Sequence, residues 1–187
     1  MKNLILLEFP HEFYTNRLFI RLPLPGDGNE IYNAINASKQ ELKLWLPFAQ
    51  NDQSLEDTEI NVREAHIKFL QRTDLRLHIF HRETGEFIGC TGLHRIDWEV
   101  PKFEIGYWID SRQSGKGYMT EAVQGLTDFA FEKLQANRVE IHCDVKNTKS
   151  RSIPERLAYQ LEGIHYKDSI AVDGNDLRDT CVYAKVK

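Results

Sequence analysis

A chain of 187 residues that is 41% hydrophobic and 28% charged can bury one sizeable core, and no Pro-, Gly- or Ser-rich linker divides it, so a single domain over 1–187 is expected. The formal net charge of -4 excludes a general attraction to nucleic acid or to an anionic membrane surface. Leu4-Ile5-Leu6-Leu7 is stopped by Glu8 and no run approaches a membrane span, while Cys90, Cys143 and Cys181 are odd in number and widely spaced; reduced core thiols in a cytoplasmic protein fit better than disulfides or a metal site.

In chain order, residues 15–24 alternate Leu18, Ile20 and Leu22 against Phe19 and Arg21, which predicts a first strand ending at Pro23 and Pro25. A helix follows to about Ser38, capped by Asp27 or Asn29, with Ile31, Ala34 and Ile35 facing inward. The apolar segment 41–48 is broken by Pro47; its Trp45 and Phe48 either plug the core or line an acceptor cleft, whose other edge is expected from 164–178. Ser54-Leu-Glu-Asp57 is a capping box that opens a helix through Ile60, Ala65, Ile67, Phe69 and Leu70. Residues 75–81 and 86–93 read as strands joined through Arg82-Glu-Thr-Gly85. His78 and His81 fall on opposite faces of the first of these, which suits structural or exposed residues and not a metal-ligand pair.

The next strand, 103–109, turns Phe103, Ile105, Tyr107 and Ile109 to one face and Glu104, Gly106 and Trp108 to the other. Ala122, Val123, Leu126, Phe129, Ala130 and Leu134 then recur at helical spacing. Val139, Ile141, Cys143 and Val145 alternate in a further strand, parallel to 103–109 because a helix intervenes. The order predicts an α/β (α+β) domain with a mixed, mostly antiparallel sheet and helices on both faces.

Between strand and helix, Arg112-Gln113-Ser114-Gly115-Lys116-Gly117 can turn freely and leave backbone N–H groups aimed outward beside two cations and a helix N-terminus, an anion cradle suited to a pyrophosphate. A nucleoside-triphosphate P-loop does not fit, since Asp110 stands where its first glycine would be and Gly117 where its Ser or Thr would be. The dinucleotide pattern G-x-G-x-x-G has Thr120 in place of its third glycine, so an NAD-binding reading would rest on Gly115 and Gly117 alone. Arg-x-x-Gly-x-Gly after E-I-G-Y-W-I resembles the coenzyme A loop of the GCN5-related N-acetyltransferases (GNAT). From 138 to 163 the chain is similar to the second half of that family's signature, with Asn147 and Ser150 matching and Ala158-Tyr159 where Gly-Phe is usual. Alanine there requires a backbone that does not need positive φ. Pro154 occupies the position where many members carry a tyrosine acid; Ser150, three residues after Asn147, together with Trp45-Leu-Pro47 resembles the RimJ/RimL-like ribosomal-protein N-terminal acetyltransferases.

The resemblance implies a V-shaped splay between the two parallel strands, with the pantetheine arm of acetyl-CoA between them and Gly106 clearing its path. It also implies coenzyme contacts from Trp108, Ile109, Arg112 to Thr120 (including Tyr118 and Met119) and Asn147, with no metal. Glu104 is the candidate general base for an acceptor amine, directly or through water, and Ser150 the candidate donor to the leaving thiolate. The acceptor is a protein N-terminus or a small amine, and relatives suggest a monomer or homodimer. A non-catalytic coenzyme-binding module is the alternative, supported by the missing tyrosine at 154.

Overall fold

Period-two apolar segments give eight strands in one sheet within residues 3–187, which the computed structural model describes. They are β1 (Glu12–Tyr14), β2 (Leu18–Arg21), β3 (Leu75–His81), β4 (Phe87–Asp97), β5 (Lys102–Ile109), β6 (Arg138–Asp144), β7 (Gln160–Ile170) and β8 (Leu177–Val186), lying in the order β1-β2-β3-β4-β5-β6-β8-β7. Every neighbouring pair is antiparallel except β5 and β6. The helices are α1 (Gly28–Ala37), α2 (Lys39–Leu42), α3 (Leu55–Gln71), α4 (Tyr118–Lys133) and α5 (Thr148–Arg156).

Two faces of the sheet bury different side chains. Ile79, Ile88, Phe103, Ile105 and Ile141 pack with Ala122, Val123, Leu126 and Ala130 of α4, while Phe80, Phe87 and Cys90 pack with Ile31 and Ala34 of α1 and Val62 of α3. All three cysteines are buried and unpaired. The capping box at Ser54 and Asp57 forms, but α3 turns Thr58, Val62, Ala65 and Phe69 inward. Ile60, Ile67 and Leu70 of the same helix lie on its exposed side, because residues 58, 62, 65 and 69 trace one helical face and 60 and 67 another. The first strand is shorter than 15–24, and Glu12–Tyr14 adds an edge strand that its length of three residues conceals.

What matters for function is where β5 and β6 part. They pair only at Lys102↔Arg138, Phe103↔Val139 and Glu104↔Glu140. Beyond this vertex β5 follows β4 as far as Ile109 and β6 follows β8 as far as Asp144, leaving the expected V between them.

Asp27 occupies the N-cap position of α1 without capping it. Its carboxylate accepts from Arg21 at 2.7 and 2.8 Å, from the Leu24 N–H at 2.9 Å and from His78 Nδ1 at 2.7 Å. Burial alone would raise its pKa, but these donors outweigh it and hold the carboxyl far below the usual range. A depressed carboxylate contributes stability that is full above its unfolded pKa, about 4, and is lost as pH falls towards the folded value. Asp27→Asn should therefore cost about 3 kcal/mol at neutral pH and leave a flatter acid limb below about pH 4, as read from urea midpoints across pH.

Candidate active site

At the open end of the V, α4 begins directly at the glycine turn. Gly117 is its N-cap at φ 80°, and Gly115 is likewise at φ 80°, so both need the left-handed region. The first intrahelical bond runs from the Glu121 N–H to the Gly117 carbonyl. Among the described residues, the N–H groups of Gly115 to Thr120 meet no protein acceptor, and this row of donors at a helix N-terminus forms the cradle.

The loop's side chains are more committed than their composition suggests. Arg112 bonds the buried carboxylate of Asp110, with Nη2 at 2.5 Å from Oδ2, while its own side chain is 59% exposed. Gln113 is buried and spent as a brace, donating to Glu86 and accepting from Lys116 Nζ at 2.7 Å. Ser114 follows it on the outer turn, Met119 is buried beneath, and Thr120 is half-buried. A cation that motif reading misses is Arg17, from the turn before β2. Its Nε and backbone N–H bond Glu121 at 2.7 Å, Nη1 bonds the Lys116 carbonyl at 3.0 Å, and its guanidinium stacks 4.6 Å from the Tyr118 ring. Among the described residues, chain neighbours apart, only Arg17 lies within 4 Å of a Cβ built on Gly117, with Nη2 at 3.5 Å.

Across the V, α5 carries Ser150. Asn147 caps this helix, its Oδ1 accepting from the Ser150 N–H at 3.1 Å, which leaves its amide NH2 for a ligand. Pro154 lies inside the helix, and its missing N–H frees the carbonyl four residues earlier, that of Ser150. Tyr107 of β5 takes this acceptor: its phenol donates to the Ser150 carbonyl at 2.9 Å and accepts from Ser150 Oγ at 3.2 Å. Burial pushes the Tyr107 pKa well above that of an ordinary phenol, and it pushes neighbouring Cys143 up to about 12, so both stay protonated. The residue that displaces the usual tyrosine thus brings another phenol to Ser150, a link visible in sequence only as a proline four positions after the serine.

Ala158, just beyond α5, sits at φ 55°, contrary to the expectation that alanine here marks a position with no need of positive φ. Ala158→Gly should relieve this strain and stabilise the protein by about 1 kcal/mol, visible as a higher denaturation midpoint with unchanged slope.

On the other side of the sheet a cavity of about 270 Å³ opens under α1, α3 and the 46–53 segment. Phe48 lines it and lies 6.1 Å, ring to ring, from Trp108, which is itself in this wall. Leu46 contributes where Trp45 was expected, and Trp45 does not line the cavity. Residues 164–178 do not line it either, because β7 lies at the far edge of the sheet beyond β8. Half-buried Ile109 ends β5 on the opposite face from Trp108. Glu104 stands at the vertex outside the cavity, with Oε2 at 3.4 Å from both Arg95 Nη1 and His142 Nδ1. Nor is the space beside Gly106 free for an arm on this face: a Cβ there would meet the His94 ring at 2.9 Å. The imidazole of His94, held by Asp74 at 2.6 Å, uses that space.

A model of the acetyltransferase (GNAT) domain matches residues 17–160. YdaF of Bacillus subtilis (strain 168), provisionally named a ribosomal N-acetyltransferase, is 35% identical over 161 residues, 86% of each chain. The ribosomal-protein-serine acetyltransferase of Escherichia coli (strain K12) is 30% identical over 156 residues, 83% of this chain and 85% of that one. Among solved structures, RimL, a ribosomal L7/L12 alpha-N-protein acetyltransferase in complex with coenzyme A, superposes with a TM-score of 0.85 over 92% of this chain and 95% of that one; at 23% identity it supports the fold alone. Matched by the family model over most of its length, the chain belongs to the GNAT acetyltransferases, in their RimJ/RimL-like branch, and acetyl-CoA is the acetyl donor it uses.

Proposed function

We propose that this acetyltransferase transfers its acetyl group to a primary amine at a protein or peptide N-terminus, by direct attack within a ternary complex. The observation that carries this reading is the open cavity on the α1–α3 face, set beside the V and separate from the cradle that would hold the donor's phosphates. Its volume suits the first residue of a chain, with apolar walls from Ile31, Ile35, Leu46 and Phe48. Arg76 in the lining opposes a polycation such as a polyamine and favours a neutral or acidic chain behind the amine. The ribosomal-protein names of two relatives agree with a protein acceptor.

In this reading the N–H groups of Gly115 to Thr120, with Lys116, Arg112 and Arg17 around them, bind pyrophosphate, and the free amide of Asn147 bonds the pantetheine arm. Trp108 is reassigned from the coenzyme to the acceptor wall. Glu104 at the vertex attracts the ammonium, directly or through water, and Ser150 with Tyr107 stabilises the leaving thiolate. The phenol at Ser150 weakens the case for a module that only binds coenzyme, since that case rested on the missing tyrosine.

Turnover of acetyl-CoA with short peptides of different first residues, with free amino acids and with spermidine tests this. Peptides are expected to be acetylated on the α-amine; spermidine as the preferred acceptor would overturn the assignment.

A further inference from the structure

We propose that His94, oriented by Asp74, is the group that takes the proton from the acceptor amine. This rests on the amine-acetylation reading above. The Nδ1···Oδ2 distance of 2.6 Å directs the Nδ1 proton to Asp74 and leaves the lone pair on Nε2. No protein atom among the described residues bonds Nε2, and the ring lines the acceptor cavity beside Trp108 and Thr91. Its seat is built into the sheet. Gly92 and Gly106 face each other in the β4–β5 register, and Cβ atoms at these positions would come within 3.0 and 3.1 Å of Nε2. These two glycines, cross-strand neighbours on β4 and β5, thus create a bare patch on which the imidazole lies, reaching the strand that forms one wall of the V.

A second histidine lines the cavity, His78, which is held by Asp27, and the two histidine–aspartate pairs differ in what they can do with a proton. His78 is 0% exposed, burial pushes its pKa down, and Asp27 is already neutralised by Arg21. A proton received there would be charge sealed away from water. The His94 side chain is 32% exposed, and Asp74 has no other ionic partner among the described residues, so an imidazolium would be both compensated and able to discharge to solvent in each cycle. The charged groups around the ring are Asp74 before β3, Arg76 on β3, Glu104 opposite on β5, Arg95 next on β4 and His142 of β6 behind Glu104. Arg76 is turned to Asn61, with Nη1 at 2.5 Å from Oδ1.

The step balances as follows. The ammonium gives one proton to Nε2 of His94, and the resulting amine forms the N–C bond to the acetyl carbonyl. The C–S bond breaks, the nitrogen loses its second proton as the thiolate becomes a thiol, and the imidazolium returns its proton to water. Glu104 enters only by attracting the ammonium.

The test compares wild type, His94→Gln, His94→Ala and Asp74→Asn, using acetyl-CoA and the peptide that wild type turns over best. Calorimetry should give acetyl-CoA affinities within about twofold of wild type, because the ring is outside the cradle. His94→Gln should lower kcat by about a hundred- to a thousandfold and abolish the ascending limb of the pH profile of kcat/KM. Asp74→Asn should lower kcat by about tenfold, since the ring loses the acceptor that orients its Nδ1 proton and fixes the lone pair on Nε2. Added imidazole should restore part of the activity of His94→Ala, a rescue that a purely structural role would not give. A folded His94→Gln with wild-type kcat and pH profile overturns this assignment alone. A wild type that binds acetyl-CoA but acetylates no peptide or amine overturns the amine-acetylation reading as well.

Discussion

Gly117→Glu is expected to abolish acetyl-CoA binding in a protein that still folds. At φ 80° any side chain costs about 1 to 2 kcal/mol, a tolerable fraction of the 5 to 15 kcal/mol typical of a stable domain. The ligand loses far more. A carboxylate would stand at the mouth of a row of donors built for an anion, satisfying some of them and drawing on Arg17, whose Nη2 lies 3.5 Å from the new Cβ. Affinity should fall by at least about a hundredfold, equivalent to roughly 3 kcal/mol. Calorimetry with circular dichroism decides it: a folded mutant that binds normally would place the phosphates elsewhere.

The second large effect is expected at the sulfur side. Ser150→Ala and Tyr107→Phe should each lower kcat by about ten- to a thousandfold at saturating acetyl-CoA while leaving coenzyme affinity nearly intact. Each removes one hydroxyl from a pair joined at 3.2 Å, so the double mutant should lose little more than the worse single one. Pro154→Ala adds a more specific expectation. It returns an N–H to the Ser150 carbonyl, which then competes with the phenol for that acceptor, and kcat should fall although no group at the site has been removed. Rates are compared where chemistry limits turnover; full kcat in both single mutants would assign thiolate stabilisation to water.

Local chemistry explains which features were legible in the chain. Strands β3 to β6, the capping box at Ser54 and the glycine turn at 112–117 announce themselves through periodicities and dihedral needs that neighbouring residues alone impose. Which face of α3 turns inward was not legible, because its exposed face also carries isoleucines and only tertiary packing chooses between two apolar rows. Arg17 and His94 escaped for a different reason. Neither lies in a motif; one reaches the cradle across a sequence separation of 99 residues to Lys116, and the other acquires its meaning from Asp74 and two glycines on separate strands. Ala158 misled because alanine tolerates, at a cost, a backbone that glycine would adopt freely.

The three-pair vertex between β5 and β6 also has a mechanical meaning. Strands β2 to β5 are laced by longer antiparallel ladders, as are β6 to β8, whereas the seam between them has three-pair backbone lacing and otherwise relies on helix packing. Such a seam separates two cooperative units, so amide exchange in the ligand-free protein should be fastest along the facing edges of β5 and β6 and in α5. An extended ligand lying in the V would act as a surrogate strand that sews the units together. The donor would then be a folding ligand as well as a reagent, and release of the spent coenzyme would require the molecule to loosen along the same line.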